Sequence, residues 1–249
     1  MTLVLEAKGL CPQVADQQQS LPALNLSLNA HQCCCLIGSR VEIREAYLRA
    51  LAGLDMPAAG ELVLLGRDQE ALTEQGLDYL GRELGYVARQ APLLSVLNGQ
   101  ENAVMPAVYH GQKRAAALAE LELLLQELNF TGDLKCLPAL LPELEKMQLA
   151  LARAALLAPQ LLFLEDPWQA LDLTESALLE QSLERWSQRM ALVVATAHLG
   201  FVRQQADEIV FLGTEQCFNF SNWLDLVSSD QPEIQQYLDR YRAAIDWKV

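Results

Sequence analysis

Leu36-Ile37-Gly38-Ser39-Arg40-Val41-Glu42-Ile43-Arg44-Glu45-Ala46-Tyr47-Leu48-Arg49-Ala50-Leu51-Ala52-Gly53-Leu54 runs from an apolar segment through a glycine turn into a helical pattern. Cys33–Ile37 reads as a buried strand and residues 42–53 as an amphipathic helix, the two periodicities meeting at Gly38. A strand that turns at glycine into a helix is the frame of a phosphate-cradling loop, G-x-x-x-x-G-K-[ST], whose backbone N–H groups surround the anion. Gly38 and the downstream Leu48-Arg49-Ala50-Leu51-Ala52-Gly53 fix the register without a gap. In that register the frame survives and its working residues do not. Val41 and Ile43 hold the inner glycine positions, Arg44 the lysine position and Glu45 the hydroxyl position.

These replacements have physical consequences. The β-branched side chains of Val41 and Ile43 resist positive φ and obstruct close backbone approach, so no nest of N–H groups is expected. Arg44 keeps the charge without the compact ammonium geometry. Glu42 and Glu45 set two carboxylates beside any polyphosphate, each repelling it by roughly several kcal/mol at an intermediate dielectric. Ser39 and Glu42 also fit the S-x-x-E capping box at a helix start. Two readings stay open: the chain has put its own carboxylate at the helix dipole as a self-cap, or the loop has become an ordinary capped helix.

Working outward, short apolar runs at 4–5, 24–28, 62–65, 84–87, 161–164, 191–196 and 209–212 read as further buried strands. Helical periodicity covers 113–128, 144–157, 175–189 and 232–244. The alternation predicts an α/β fold with a mixed sheet core, and 249 residues suffice for one such body. Residues 91–158 are predicted to be an inserted helical subdomain within a main domain of 1–220, followed by a C-terminal helical extension, 221–249.

Four other stretches fall in order around the loop. Leu161-Leu162-Phe163-Leu164-Glu165-Asp166-Pro167-Trp168-Gln169-Ala170-Leu171-Asp172 is an apolar strand ending in an acidic pair and a proline. Leu141-Pro142-Glu143-Leu144-Glu145 precedes Lys146-Met147-Gln148-Leu149-Ala150-Leu151-Ala152-Arg153-Ala154. Thr196-Ala197-His198-Leu199-Gly200-Phe201 precedes Ala206-Asp207, and Gly85-Tyr86-Val87-Ala88-Arg89-Gln90 precedes Glu101-Asn102. With the loop, and from about residue 3 to 214, they resemble the nucleotide-binding domain of ABC transporters. The resemblance implies an ABC-type P-loop ATPase fold.

It also implies roles that this chain fills with altered residues. In the family an Asp supports Mg²⁺ and the following Glu polarises the attacking water; Glu165 and Asp166 invert the pair, a displacement on the order of 1 Å that catalysis tolerates poorly. The signature L-S-G-G-Q becomes Leu141, Pro142, Glu143, Leu144 and Glu145, so acid occupies a helix start that faces a partner's phosphate. The register puts Ala197 at the switch-histidine position and Arg89 at the glutamine position, with a one-residue slip leaving His198 and Gln90 as alternatives. Family members stack adenine on an early aromatic residue, and this chain has no Phe, Tyr or Trp before Tyr47. Ala170-Leu171-Asp172 matches a turn at the family's dimer interface. The stretch Glu101–Pro106 and the tail from Ser229 to Asp239 resemble ATPases of lipid transporters, the tail being similar to those of Mla-type systems with MCE-domain proteins.

Composition narrows the partners. The 18 Lys+Arg against 32 Asp+Glu give a net charge of -14, which argues against nucleic acid and anionic lipid as direct ligands. No run reaches the roughly 18 apolar residues of a membrane span, and the N-terminus lacks a secretory pattern. The six cysteines show no paired C-x-x-C spacing, so no metal site or disulfide framework is expected, and Cys33-Cys34-Cys35 reads as apolar filling. The expectation is a catalytically inactive ABC-ATPase-like subunit, structural or regulatory, with no cofactor: neither ATP nor Mg²⁺ binds in the usual pose. Its expected partners are a permease, met through the helical subdomain, and an active ABC ATPase as heterodimer partner. Its expected place is the cytoplasmic face of the inner membrane. A slow atypical ATPase and a soluble scaffold are the alternatives.

Overall fold

The computed structural model describes residues 2–13, 21–68 and 74–245. In chain order the elements are β1 (Leu3–Cys11), β2 (Leu24–Asn29), β3 (Cys33–Ile37), α1 (Val41–Leu51), β4 (Ala59–Leu64), β5 (Arg67–Asp68), α2 (Glu74–Glu83) and β6 (Leu84–Val87). Three helices follow, α3 (Gly99–Tyr109), α4 (Arg114–Glu127) and α5 (Glu143–Ala155). The chain continues through β7 (Leu161–Glu165), α6 (Leu173–Ser187), β8 (Ala191–Ala195), α7 (Leu199–Gln205), β9 (Glu208–Leu212), β10 (Cys217–Phe220), α8 (Trp223–Val227) and α9 (Pro232–Ile245). All the strands and helices expected from periodicity are present. Elements that periodicity did not mark are β5, β10, α2, α3, α7 and α8. Among the described residues no helix is long and apolar enough to cross a membrane.

The chain divides into two compact units, one of residues 1–71 with 193–249 and one of residues 72–192. The expected helical insertion, 91–158, falls within the second, and 221–245 within the first; 246–249 lie outside the described residues.

In the first unit an antiparallel sheet runs in the order β2-β1-β4-β5. Leu5 pairs with Leu28 and Leu64, and Ala7 with Leu26 and Leu62, so alternate residues of three strands bury one face. Gly60 (φ +93°) lies so close to β1 that an added Cβ would stand 2.3 Å from the Gly9 carbonyl oxygen. In the same unit β3 is parallel to β9, with Cys34 opposite Glu208 and Ile37 opposite Phe211, and β10 returns antiparallel to β9. Every residue of β3 is buried, as expected of a strand covered on both faces. Burial pushes the Cys34 thiol well above its ordinary range, which leaves it as inert packing, and Cys33 and Cys35 beside it are buried too. Helix α9 packs on this unit through buried Ile234 and Leu238 and an edge contact of Tyr237 with Phe211, ring centroids 5.5 Å apart.

In the second unit β6 is parallel to β7, with Leu84 opposite Leu161 and Tyr86 opposite Phe163. Helix α3 starts with a capping box: Asn98 accepts from the Glu101 N–H, and Glu101 accepts from the Asn98 N–H. The end of α4 is tied to α6 through Glu127, whose carboxylate accepts from Trp186 Nε1 (2.8 Å) and from both Arg189 Nη atoms (2.9 and 2.5 Å).

Candidate functional site

In the first unit the loop begins at Gly38, whose φ of +156° and 3.0 Å Cβ clearance from the Leu212 carbonyl oxygen explain the retained glycine. Helix α1 begins at Val41. No residue from 39 to 45 takes a positive φ, so the loop's backbone turns straight into helix where a nest of N–H groups would curl around an anion. Arg40 holds the N-cap position in an extended conformation (φ -103°, ψ 118°), and no side chain caps the helix. The expected self-cap by Ser39 and Glu42 is therefore corrected. A capping box needs Ser at the N-cap and Glu at the third helical residue, whereas the helix starts one position later than that register and leaves Ser39 outside and Glu42 second.

The far face of α1 holds it in place. Tyr47, Leu48 and Leu51 are fully buried, and the Tyr47 hydroxyl donates to the Pro22 carbonyl. Tyr47 is thus a core residue and offers no platform to a base. Arg44 is 3% exposed, and its Nη1 donates to the Gly38 carbonyl at 2.5 Å, so the cation at the lysine position folds back onto its own loop. Glu45 is half-buried and Glu42 exposed. At the other end of this unit's motifs, Ala197 is exposed and carries no titratable group. His198 is the N-cap of α7: its Nδ1 accepts from the Phe201 N–H (3.1 Å), and its own N–H donates to Thr196 Oγ1 (2.9 Å). The imidazole beside the switch position has a capping role.

In the second unit the structure brings the strand-end acid together with the glutamine position. Glu165, 8% exposed at the end of β7, accepts from the Tyr86 hydroxyl and, through Oε2, from the Arg89 backbone N–H at 3.1 Å. Asp166 follows with φ +36°, a left-handed turn that Asp tolerates better than most residues. Gln90 is exposed. Asp172 caps α6, accepting from the Thr174 and Glu175 N–H groups, and Ala170 beside it is exposed while Leu171 is half-buried. In the altered signature, α5 begins at Glu143, one residue later than a first-turn proline would place it. Pro142 is the N-cap, Leu141 is buried, and Lys146 pairs with Glu143 at 2.7 Å; Leu144 and Glu145 are half-buried on the first turn.

A surface that motif reasoning passed over lies on α3. Met105, Val108 and Tyr109 are exposed, Tyr109 at 82%, and line a groove of about 370 Å³ with Leu97, Glu101 and Arg114. Val96 and Leu94 in the preceding loop are exposed as well, Val96 at 83%. The signal was available in the unbroken apolar character of 103–109, which a search for an amphipathic period discards.

A β3–loop–α1 unit beside the parallel β9, an antiparallel sheet and a helical insertion together make the fold of an ATP-binding cassette. The solved cassette MJ0796 overlays it with a TM-score of 0.76 in a dimeric post-hydrolysis state bound to ADP and Pi. That likeness covers 87% of this chain and 98% of that one at 18% identity, and a second dimeric structure of MJ0796 gives 0.75. By sequence the chain is similar to the macrolide export ATP-binding/permease protein MacB of Escherichia coli strain K12 and to that of Shigella boydii serotype 4. Each is 27% identical over 214 residues, covering 84% of this chain. The chain spans about a third of the length of these curated relatives, 33% in both. No family model matches.

These likenesses correct one expectation. No cofactor was expected, neither ATP nor Mg²⁺ binding in the usual pose; the relatives are named as ATP-binding and the solved cassette is bound to ADP and Pi, which tells against that expectation. Of the loop's charged side chains, Arg40 is exposed and Glu45, a carboxylate of the type that hard divalent cations take, is half-buried, while the Arg44 guanidinium is buried against the Gly38 carbonyl.

Proposed function

We propose that this chain is a cassette subunit of an ABC transporter that holds nucleotide but hydrolyses it poorly or not at all, acting as a structural or regulatory half of the assembly. One observation carries the reading: the ionic side chains at the reacting positions bond to the chain's own scaffold. Arg44 donates to the Gly38 carbonyl, and Glu165 accepts from Tyr86 and the Arg89 N–H. Nucleotide, when bound, brings a phosphate charge and an associated Mg²⁺. Glu45 would offer the cation an oxygen ligand, and Arg44, held on the Gly38 carbonyl, would act only through its charge. Ala197 has no group to bind a transferring phosphoryl, and Asp166 is a methylene shorter than the family's water-polarising Glu.

The helical insertion, about 91–158, is the proposed receiving surface for a permease, and the apolar groove of Met105, Val108 and Tyr109 supports it. The turn Ala170-Leu171-Asp172, next to a Leu173 that is 89% exposed, is the proposed contact with a second cassette, an active ATPase. The proposed place is the cytoplasmic face of the inner membrane. Lipid is the proposed cargo, supported by the resemblance of the tail from Ser229 to Asp239 to Mla-type ATPases.

The test has two parts. Affinity purification of the chain from detergent-solubilised membranes is expected to recover a membrane-spanning protein, and Met105→Glu with Tyr109→Glu to lose it. Recovery without any membrane protein favours a soluble scaffold instead. Steady-state Mg·ATP hydrolysis is expected to be no higher than that of Asp166→Asn; measurable turnover that Asp166→Asn abolishes would establish the slow-ATPase alternative.

A further inference from the structure

In the first unit, side chains of α7, α8 and α9 line a cavity of about 360 Å³. Each helix contributes for a local reason. On α7, Leu199 and Arg203 stand four residues apart, as do Gly200 and Gln204, so two adjacent stripes of one helix reach the lining. Leu199 is buried, whereas Arg203 and Gln204 are exposed. Trp223 opens α8, whose start is fixed by Asn222 accepting from the Asp225 N–H at 3.0 Å and whose other side is anchored by buried Leu226. Tyr241 follows Ile234 and Leu238 on α9 at i+7 and i+3, and those two residues hold the helix on the core.

Trp223 and Tyr241 are half-buried, and among the described residues neither ring contacts another ring. Among those residues, too, the side chains of Arg203, Gln204, Trp223 and Tyr241 make no hydrogen bond or ion pair. The neighbouring carboxylates are engaged elsewhere: Asp225 accepts from the Asn222 amide at 2.8 Å, and Asp239 pairs with Arg242 at 3.0 Å. One cavity is thus lined by a guanidinium, a primary amide, an indole N–H and a phenol, all with donors to spare. Its volume falls within the roughly 300–1,000 Å³ of small-molecule sites, which pair apolar and aromatic walls with a few polar groups. Two aromatic walls suit a planar ring through stacked or edge contacts. A single guanidinium fork matches one carboxylate through two parallel hydrogen bonds, whereas a phosphoryl dianion would meet only one lining cation in a chain of net charge -14.

We infer that this cavity binds a small aromatic carboxylate, its ring between Trp223 and Tyr241 and its carboxylate on the Arg203 guanidinium, with the Gln204 amide donating beside it. The site stands independently of the nucleotide reading above. Its test is a nitrogen–proton NMR titration of the full chain with phenylacetate and, separately, with indole-3-acetate. The chain has four tryptophans, and the indole N–H signal that disappears in Trp223→Phe is the one expected to move, saturably, with either probe. Phenylacetamide keeps the ring and lacks the charge, so it is expected to bind about tenfold more weakly or worse than phenylacetate. Arg203→Gln is expected to lower phenylacetate affinity by a similar factor and to leave phenylacetamide unchanged. Arg242→Gln, on α9 but off the lining, is expected to change neither. Because Arg203 is exposed, the thermal melt of Arg203→Gln is expected to match wild type, which separates lost binding from lost folding. A Trp223 signal that moves with neither probe overturns the site. Phenylacetamide binding as tightly as phenylacetate, or phenylacetate affinity unchanged in Arg203→Gln, overturns the pairing with Arg203 and the inference with it.

Discussion

Exchanging Glu165 for Asp or for Gln separates a structural carboxylate from a catalytic one. Glu165 is 8% exposed and accepts two hydrogen bonds, one from the Tyr86 hydroxyl and one from the Arg89 N–H. Glu165→Asp keeps the charge but withdraws the carboxylate by a methylene, stretching both bonds beyond reach. Each hydrogen bond to a charged acceptor contributes about 1.5–3 kcal/mol, and local relaxation recovers part of it, so a destabilisation of about 2–4 kcal/mol is expected. Glu165→Gln keeps the reach. Its amide oxygen can accept from the Arg89 N–H while its amide nitrogen donates to the Tyr86 oxygen, and only the charge assistance is lost, about 1 kcal/mol. A catalytic carboxylate would reverse the order, since Gln removes the charge on which metal support depends. Urea unfolding followed by circular dichroism, with m unchanged across the series, reads the stabilities. The reasoning fails if Glu165→Asp lies within about 0.5 kcal/mol of wild type, or if Glu165→Gln proves the more damaging.

Three other outcomes follow from the same geometry. Tyr47→Phe removes the hydroxyl that satisfies the Pro22 carbonyl and is expected to destabilise by about 1–2 kcal/mol in a urea melt, with equal stability counting against it. Gly60→Ala would set a Cβ 2.3 Å from the Gly9 carbonyl oxygen and should cost about 2 kcal/mol or more. Gly66→Ala, also at positive φ (+74°) but with no atom within 4 Å, should cost only the backbone strain of about 1 kcal/mol, and equal losses would contradict the steric argument. Hydrogen bonds from Arg189, helped by one from Trp186, hold the Glu127 carboxyl below its ordinary value of 4.5. Because its folded pKa lies below the unfolded one, its contribution is complete above about 4.5 and fades as pH falls through the folded value. Glu127→Gln should therefore be less stable than wild type at pH 7, with the gap closing on acidification; a gap that persists undiminished at about pH 3 would sink the assignment.

The fold was legible because its core strands are short, continuous apolar runs. Leu161–Glu165 and Ala191–Ala195 are buried at every position, as such runs require. What escaped was governed by other signals. Helix α3 is apolar nearly all round and carries Pro106, so periodicity is silent, although Asn98 and Glu101 spell its capping box. Strand β10, Cys217–Phe220, is half-exposed and owes its existence to pairing with β9, which no local pattern records. At the loop, the sequence identified the missing glycines, and periodicity put the helix at 42–53, but the capping-box register placed the N-cap one residue early. Ser39 was credited with a cap because it matched a motif, whereas backbone geometry gave the N-cap to Arg40.

The residues of the loop favour a helix that stands without a ligand. Glycine in a helix costs about 1 kcal/mol relative to good helix formers, and Ile43 is almost fully buried, so Val41 and Ile43 favour a helical start where a nest would have to be held open. Helix α1 does not depend on a ligand to stay folded, because Tyr47, Leu48 and Leu51 fix its other face, each buried apolar side chain contributing roughly 1.5–3 kcal/mol. At the start of α1 side-chain charges stand where a phosphate-cradling loop would align N–H dipoles. Exposed side-chain charges are screened by salt far more than a preorganised backbone cradle. Transition-state stabilisation needs fixed dipoles aimed at developing charge, and a helix that starts at Val41, with no positive φ from 39 to 45, curls no nest of N–H groups around an anion.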